Sequence, residues 1–383
     1  MLYPNNYKIL DFNDDKFLKA SYLLRYIFYF LFLDLNYINK IVLNYLFSYY
    51  IILLMYILEL AEIGKETVWG GNSLSLLYSK PFEQNKNIGE SWEICDLKND
   101  KNIILNGEFK GKTLSYLIEN FGKEFLGSDC AEFIKEKYFP LLIKFIDAKD
   151  KLSIQVHPNE EYANKKHNKH GKNEMWYIMD AKNNPKLLIG LKEGIDKTAI
   201  KKSMENNENI ENMFNYFEVK NGDAYYIPNG CIHAILGDVI IAEIQTPSDI
   251  TYRLYDWNRI DKNGKGRELH IEDSFNVIEN IEASKLKSQR INKIKNDNLE
   301  INEIFSNKYF TTEEYIIKNN FSSKTNNKTF EIIINIEGNG FIESDIKDNI
   351  IKLNAGKTVL IPASLGNYRI KSEGEMKFLR VTI

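Results

Sequence analysis

From residue 55 onward the chain reads as short stretches in which apolar and polar side chains alternate, punctuated by Gly, Asn, Asp and Pro. That pattern predicts many short strands with a few helical insertions. Two of the stretches are KLSIQVHPNEEYA at 151–163 and GKNEMWYIMDA at 171–181, and both read as strands. A two-residue side-chain period puts Ser153, Gln155 and His157 on one face and Leu152, Ile154 and Val156 on the other. The same period groups Lys172, Glu174 and Trp176, opposite Met175 and Tyr177. A third stretch, GDAYYIPNGCIH at 222–233, sets Gly222 and Gly230 as turn residues around a β-favouring run of Tyr225, Tyr226 and Ile227. Pro228 ends that run where no ladder donor is available, which holds His233 just past a turn, facing a barrel interior.

Helical spacing occurs in two inserts. Residues 112–137 carry Leu114, Leu117, Ile118, Phe121 and Phe125 and are expected to cover the barrel, while 196–217 reads as a polar helix pair. The stretch GESWEICDL reads as a turn, supported by Gly89, into a strand. Lys-rich sequence at 284–298 reads as a solvated connector. Beyond it, strands at 329–336 and 349–353 lead into GKTVLIPASLGNYRI at 356–370, where Gly356, five residues and Pro362 repeat Gly222, five residues and Pro228. Asn367 stands at the position of His233, and no histidine follows His270. The second copy is therefore expected to be structural and metal-free.

Gln155, His157, Glu174 and His233 can converge on one metal. Two imidazoles, a carboxylate and an amide oxygen without thiolate suit zinc, with manganese, iron or cobalt also open. Only five histidines exist, and His167, His170 and His270 fit no such pattern and read as surface residues. A net charge of −3 argues against a nucleic-acid surface. The three cysteines lack CxxC spacing, which points away from a disulfide framework and towards a reducing, cytoplasmic setting.

These residues, together with VWGGNSL at 68–74, GESWEICDL at 89–97, FPLLIKFIDAKDKLSIQVHP at 139–158 and IIAEIQTPSDITYRLYDWNR at 240–259, resemble the type I phosphomannose isomerases in their short bacterial form. The resemblance runs from about residue 55 to the C-terminus. It implies a mainly β architecture of two cupin barrels, double-stranded β-helices of the jelly-roll type, with helical insertions. The expected divisions are 55–283 for the catalytic barrel, 284–298 for the connector and 299–383 for a barrel without a metal site. It further implies one zinc ion per chain on Gln155, His157, Glu174 and His233, an active-site role for Arg253, and pocket-lining positions for Lys172, Glu243 and Ser153. The expected substrate is a hexose phosphate, mannose 6-phosphate interconverting with fructose 6-phosphate.

Aldose–ketose isomerisation moves one proton between C1 and C2 through a cis-enediol, so it needs a Lewis acid, a proton carrier and a cation for phosphate or enediolate. Arg253, with its fixed fork of donors, suits the last task, and Lys172 can share it. Glu243 and a water on the metal both stand open as proton carrier. Arg267, in a loop, reads as solvated, with reach to a phosphate as the alternative. A metal-cupin oxygenase and a non-catalytic sugar-phosphate-binding cupin use the same residue types and stand as alternatives. Residues 1–54 are dominated by Tyr, Phe, Leu, Ile, Asn and Lys, with an uncharged run at 41–58. Two readings apply: a membrane or partner segment, or upstream sequence read in frame before a start at Met55, where members of the family begin.

Overall fold

The computed structural model describes residues 55–260, 264–346 and 349–383; the N-terminal extension, and with it all but the last four residues of the uncharged 41–58 run, lies outside the described residues. Among the described residues no helix is long and apolar enough to cross a membrane. Eleven strands come first: β1 (Ile63–Gly71), β2 (Ile88–Ile94), β3 (Leu142–Ala148), β4 (Ile154–Val156), β5 (Glu174–Ala181), β6 (Lys186–Leu191), β7 (Phe214–Glu218), β8 (Ala224–Ile227), β9 (His233–Ile235), β10 (Val239–Gln245) and β11 (Tyr252–Tyr255). They pair into two sheets, in the order β1, β2, β3, β10, β5, β8 and the order β11, β4, β9, β6, β7. A second pair of sheets uses β12 (Ile291–Lys295), β13 (Leu299–Ser306), β14 (Thr311–Ile317), β15 (Asn320–Lys324), β16 (Glu331–Glu337), β17 (Gly340–Ser344), β18 (Ile350–Leu353), β19 (Thr358–Ile361), β20 (Asn367–Ser372) and β21 (Met376–Thr382). Their orders are β12, β13, β14, β21, β16, β19 and β15, β20, β17, β18.

Each pair closes on its own core. Trp69, Ile146, Trp176 and Ile241 from the first sheet meet Leu187, Ile189 and Ile235 from the second. The second sheet is apolar on its other face as well, where Ile154, Val156 and Leu188 pack under Ala163, Ile200 and Val277 of the helices Glu160–His167, Lys197–Glu205 and Ile271–Val277. Strands β3 and β10 are buried along their whole length, so both faces are covered. A charged residue on either strand therefore has to find its partner inside.

Several expectations are corrected. The stretch at 151–163 is strand only over Ile154–Val156; Asn159 then caps a helix, its side chain accepting from the Tyr162 N–H. Leu152 precedes the strand and joins the barrel interior instead of the face of Ile154 and Val156, because the two-residue period holds only within the pleat. The end of 196–217 is not helix but the start of strand β7 at Phe214, its aromatic residues pairing with β6, after the 197–205 helix stops in an Asn-rich turn with Asn207 left-handed and a single 3-10 turn follows at Glu211–Met213. Gly89 lies inside β2, where a Cβ would fall 2.0 Å from Thr67 Oγ1 and 2.6 Å from the Trp69 ring; close packing, not a turn, requires glycine there. The helix Leu114–Leu126, capped by Thr113, packs towards the second sheet pair: Phe125 and Phe330 flank Phe139. Within 284–298, Ile291–Lys295 form an exposed edge strand on β13.

Met55, Tyr56, Ile57 and Leu58 are buried. Leu58 exchanges backbone hydrogen bonds with Leu360 at 2.8 and 3.1 Å, and Asn349 clamps Ile57 by donating to its carbonyl and accepting from its N–H. The Ile57 side chain completes the core of the second sheet pair. Ile57→Ala should lower stability by about 2–5 kcal/mol through lost transfer energy and a cavity, seen as a lower denaturant midpoint at unchanged slope.

Candidate metal centre

Two cross-strand rows face each other inside the first sheet pair. On the first sheet, Trp92, Lys144, Glu243, Trp176 and Tyr225 stand in register on β2, β3, β10, β5 and β8. On the second, Arg253, Gln155, His233 and Ile189 stand in register on β11, β4, β9 and β6. Residues directly opposite on antiparallel neighbours share a face, so each row projects as a unit. Glu174 precedes Trp176 by two residues within β5, which keeps it on the interior side, and His157, one residue past the end of β4, is held against the Ile250 carbonyl beside it.

His157, Glu174 and His233 converge. His157 Nε2 lies 3.3 Å from Glu174 Oε1 and His233 Nε2 lies 3.8 Å from Oε2, with one ligand atom of each residue inside a 4.8 Å group. Their backbone surroundings decide the tautomers. His157 Nδ1 is 3.0 Å from the Ile250 carbonyl and His233 Nδ1 is 2.9 Å from the Cys231 carbonyl. A carbonyl only accepts, so both Nδ1 atoms carry the proton and both Nε2 lone pairs point at the shared centre. Burial, reinforced by Lys172, lowers the His157 pKa to about 3, and burial lowers that of His233 as well. Burial opposes ionisation of Glu174, yet Lys172 Nζ at 2.6 Å together with His157 and His233 outweighs it and holds the carboxyl well below its usual range.

That ion-pair contact does not complete the hydrogen bonding: His157 Nε2 and both Glu174 oxygens are buried without an acceptable hydrogen bond. Such groups cost about 1–3 kcal/mol each when left unmade. A borderline divalent cation at the centre would satisfy all three, and the donor set of imidazole nitrogens and carboxylate oxygen fits one. Gln155 Nε2 lies 3.2 Å from His233 Nε2; a half-turn of the amide presents its Oε1 to the same point.

Beside this centre opens a cavity of about 200 Å³, room for several waters at roughly 30 Å³ each or for a small polar ligand. Every residue the sequence singled out for catalysis or substrate binding lines it: Ser153, Lys172, Glu243 and Arg253. Arg253 donates from Nε to Ser153 Oγ at 3.3 Å and from Nη1 to the Glu268 carbonyl at 2.7 Å; Ser153 Oγ donates in turn to Gln155 Oε1 at 3.4 Å. Glu243 accepts from Trp176 Nε1 at 2.9 Å and faces Lys144 Nζ at 3.3 Å. Burial, and then the charge of Glu174, raise the Glu243 pKa.

Two cations at the cavity were passed over in the sequence. Lys144 is buried between Glu243 and Glu90, and their charges raise its pKa against the effect of burial. A single charge in the otherwise apolar run LIKFI was the available signal. Arg267, expected to be solvated, lines the cavity and is fixed by the buried Asp256 through two bonds of 2.8 and 2.5 Å. Its neighbours in the loop carry no periodic pattern, so the sequence marked it only as a loop cation with reach to a phosphate. His167 and His270 lie away from the cavity, bonding to the Tyr252 hydroxyl and the Arg253 backbone.

Residues 57–198 match the family model "Phosphomannose isomerase type I, catalytic domain", and 300–383 match "Mannose-6-phosphate isomerase, cupin domain". The chain is 33% identical over 315 residues to mannose-6-phosphate isomerase ManA of Bacillus subtilis, covering 82% of this chain and 95% of that protein. It is 36% identical over 213 residues to mannose-6-phosphate isomerase of Streptococcus mutans, which is 55% of this chain and 64% of that one. The crystal structure of the Bacillus subtilis mannose 6-phosphate isomerase superposes with a TM-score of 0.75 at 28% identity, over 86% of this chain and all of that one. A structure from Archaeoglobus fulgidus, described as a putative mannosephosphate isomerase, shares the fold with a TM-score of 0.66 at 21% identity over 85% of this chain and 97% of that one. By its 33% identity over 95% of the Bacillus subtilis enzyme, and by its paired antiparallel sheets around a buried His, Glu and His cluster, the chain belongs to the type I phosphomannose isomerase family.

Proposed function

We propose that the protein is a zinc-dependent aldose–ketose isomerase interconverting mannose 6-phosphate and fructose 6-phosphate, moving a proton between C1 and C2 through a cis-enediol. The observation that carries this reading is the convergence of His157, Glu174 and His233, with His157 Nε2 and both Glu174 oxygens buried without a hydrogen bond, beside a cavity that Lys144, Lys172, Arg253 and Arg267 line. Zinc on these residues, with Gln155 as a further ligand, would supply Lewis-acid polarisation of the sugar carbonyl. Every other task falls to side chains of the chain itself.

Arg253 and Arg267 hold the anionic end of the substrate, their guanidinium forks already set by Ser153, the Glu268 carbonyl and Asp256. Lys172 balances Glu174 and adds positive charge on the same wall. Glu243 is the proton carrier this geometry favours: it is buried and reaches the cavity. Its Oε1 has no hydrogen bond, and its raised pKa brings it closer to working pH. Lys144, pinned between Glu90 and Glu243, keeps the developing charge of the enediolate beside a cation. The reading takes the chain as two cupin units, 55–283 and 299–383 joined by 284–298, with the chemistry in the first. Three unpaired, buried cysteines suit a reducing, cytoplasmic setting.

A coupled assay of fructose 6-phosphate formation from mannose 6-phosphate tests the activity: chelation should abolish turnover and added zinc restore it. Folded, zinc-loaded protein without turnover would leave a sugar-phosphate-binding cupin in its place. His233→Ala should lose most bound metal together with activity, measured as zinc content per chain. Arg253→Ala should keep the metal and lose turnover by about a hundredfold or more; unchanged kcat/KM would remove Arg253 from the machinery.

A further inference from the structure

The strand that carries Glu174 is gripped from outside the barrel. On β5, Glu174 and Trp176 face the cavity side, and Tyr177 faces the other way, fully buried. Its hydroxyl donates to Glu314 Oε2 at 2.6 Å, and Glu314 belongs to β14 of the second sheet pair. Arg290, from the segment joining the two pairs, donates to both oxygens of the same carboxylate at 2.9 and 3.0 Å. The Arg290 Nη2 also donates to the carbonyl of Gly222.

Gly222 matters because of what its turn holds. Its N–H bonds to the Ile178 carbonyl, the Ile178 N–H bonds to the Asp223 carbonyl, and the chain then enters β8, which pairs with β5 from Glu174 opposite Ile227 to Tyr177 opposite Ala224. Three residues after β8, Gly230 N–H bonds to the His157 carbonyl, and His233 follows. One carboxylate thus fixes, through Tyr177 and Arg290, the strand and the turn between which the metal ligands are suspended. Glu314 is buried, and Arg290 and Tyr177 overcome its burial to keep it ionised.

We propose that Glu314 is a positioning residue for the metal centre, acting through Tyr177 and Arg290, and that the second sheet pair thereby sets the geometry of a site to which it contributes no ligand. This rests on the metal reading above. Displacing the strand that bears a ligand raises the cost of assembling the ligand set; groups that hydrogen-bond a ligand directly are worth about 10- to 100-fold in metal affinity, and a clamp one contact further out acts at the low end of that range. Simple loss of stability would not do so selectively.

The test is zinc affinity of the full-length protein, measured by competition with a chromophoric chelator, beside denaturant unfolding of each apo-protein. Glu314→Gln and Tyr177→Phe should each weaken zinc about tenfold, and the double variant should lose little more than the worse single one, because both interrupt one chain of contacts. Ile57→Ala is the control, since it destabilises the second sheet pair without touching Tyr177, Glu314 or Arg290. Zinc affinity of Glu314→Gln and Tyr177→Phe equal to wild type, or reduced only as far as in Ile57→Ala, would overturn the clamp while leaving the metal site standing. Wild-type protein that takes up no zinc would overturn the metal reading and the clamp with it.

Discussion

Everything about this fold turns on keeping an ionised carboxylate in a place without water. Glu174 is 1% exposed, and an isolated buried carboxylate would protonate instead of staying charged. Lys172 supplies the opposite charge, and two imidazoles fixed by backbone carbonyls aim lone pairs, not protons, at the same centre. The carbonyls have to be positioned too. Gln245 donates to the carbonyls of Thr246 and Ser248, Thr246 and Ser248 donate to those of Gly171 and His170, and Asn173 N–H donates to Thr246 Oγ1. These bonds stitch the loop that offers the Ile250 carbonyl to the segment that carries Lys172. The loop's polar residues thus act as the frame of the site without entering it.

The charge of the cavity has a matching logic. Lys144, Lys172, Arg253 and Arg267 line it together with Glu90, Glu243 and Asp249, and Glu174 sits just behind Lys172. Acid and base are close to balance, so a divalent cation leaves an excess of positive charge that a phosphate dianion would cancel. On the proposed function, metal and sugar phosphate would be complementary occupants of one field, each making the other's desolvation less costly. Because the cations are held by Glu90, Asp256, Ser153 and the Glu268 carbonyl, little reorganisation accompanies that exchange.

The candidate cluster was legible only in part through the two-residue period: Glu174 and Trp176 share a face within β5, whereas His157 comes one residue past β4 and is held at the centre by the Ile250 carbonyl. What escaped obeys no local rule. Lys144 and Glu243 meet across β3 and β10, a pairing that depends on which strands become neighbours. Arg267 is placed by Asp256, eleven residues away in a loop. Leu152 broke the alternation because it lies outside the pleat, and the 196–217 insert contained a strand because aromatic residues with a partner edge outweigh weak helical spacing. Gly89 looked like a turn residue and is a space requirement, visible only once Trp69 and Thr67 are packed against it.

The two copies of the Gly and Pro motif present different residues to their interiors. His233 and Asn367 stand equally far from Gly222 and Gly356, so the sequence suggests a simple exchange of imidazole for amide. The structure shows a change of face. His233 is fully buried, whereas Asn367 is exposed and donates to Asp345, and on β20 it is Tyr368 and Ile370 that point inward. A shift of one residue in strand register sends every side chain to the opposite face. Restoring histidine at 367 would therefore put an imidazole in solvent, outside an interior already filled by Tyr315 stacked on Phe378 with centroids 4.9 Å apart. The interior of the second sheet pair is apolar. Its contribution to the first then passes through its outer surface, where Glu314 meets Tyr177.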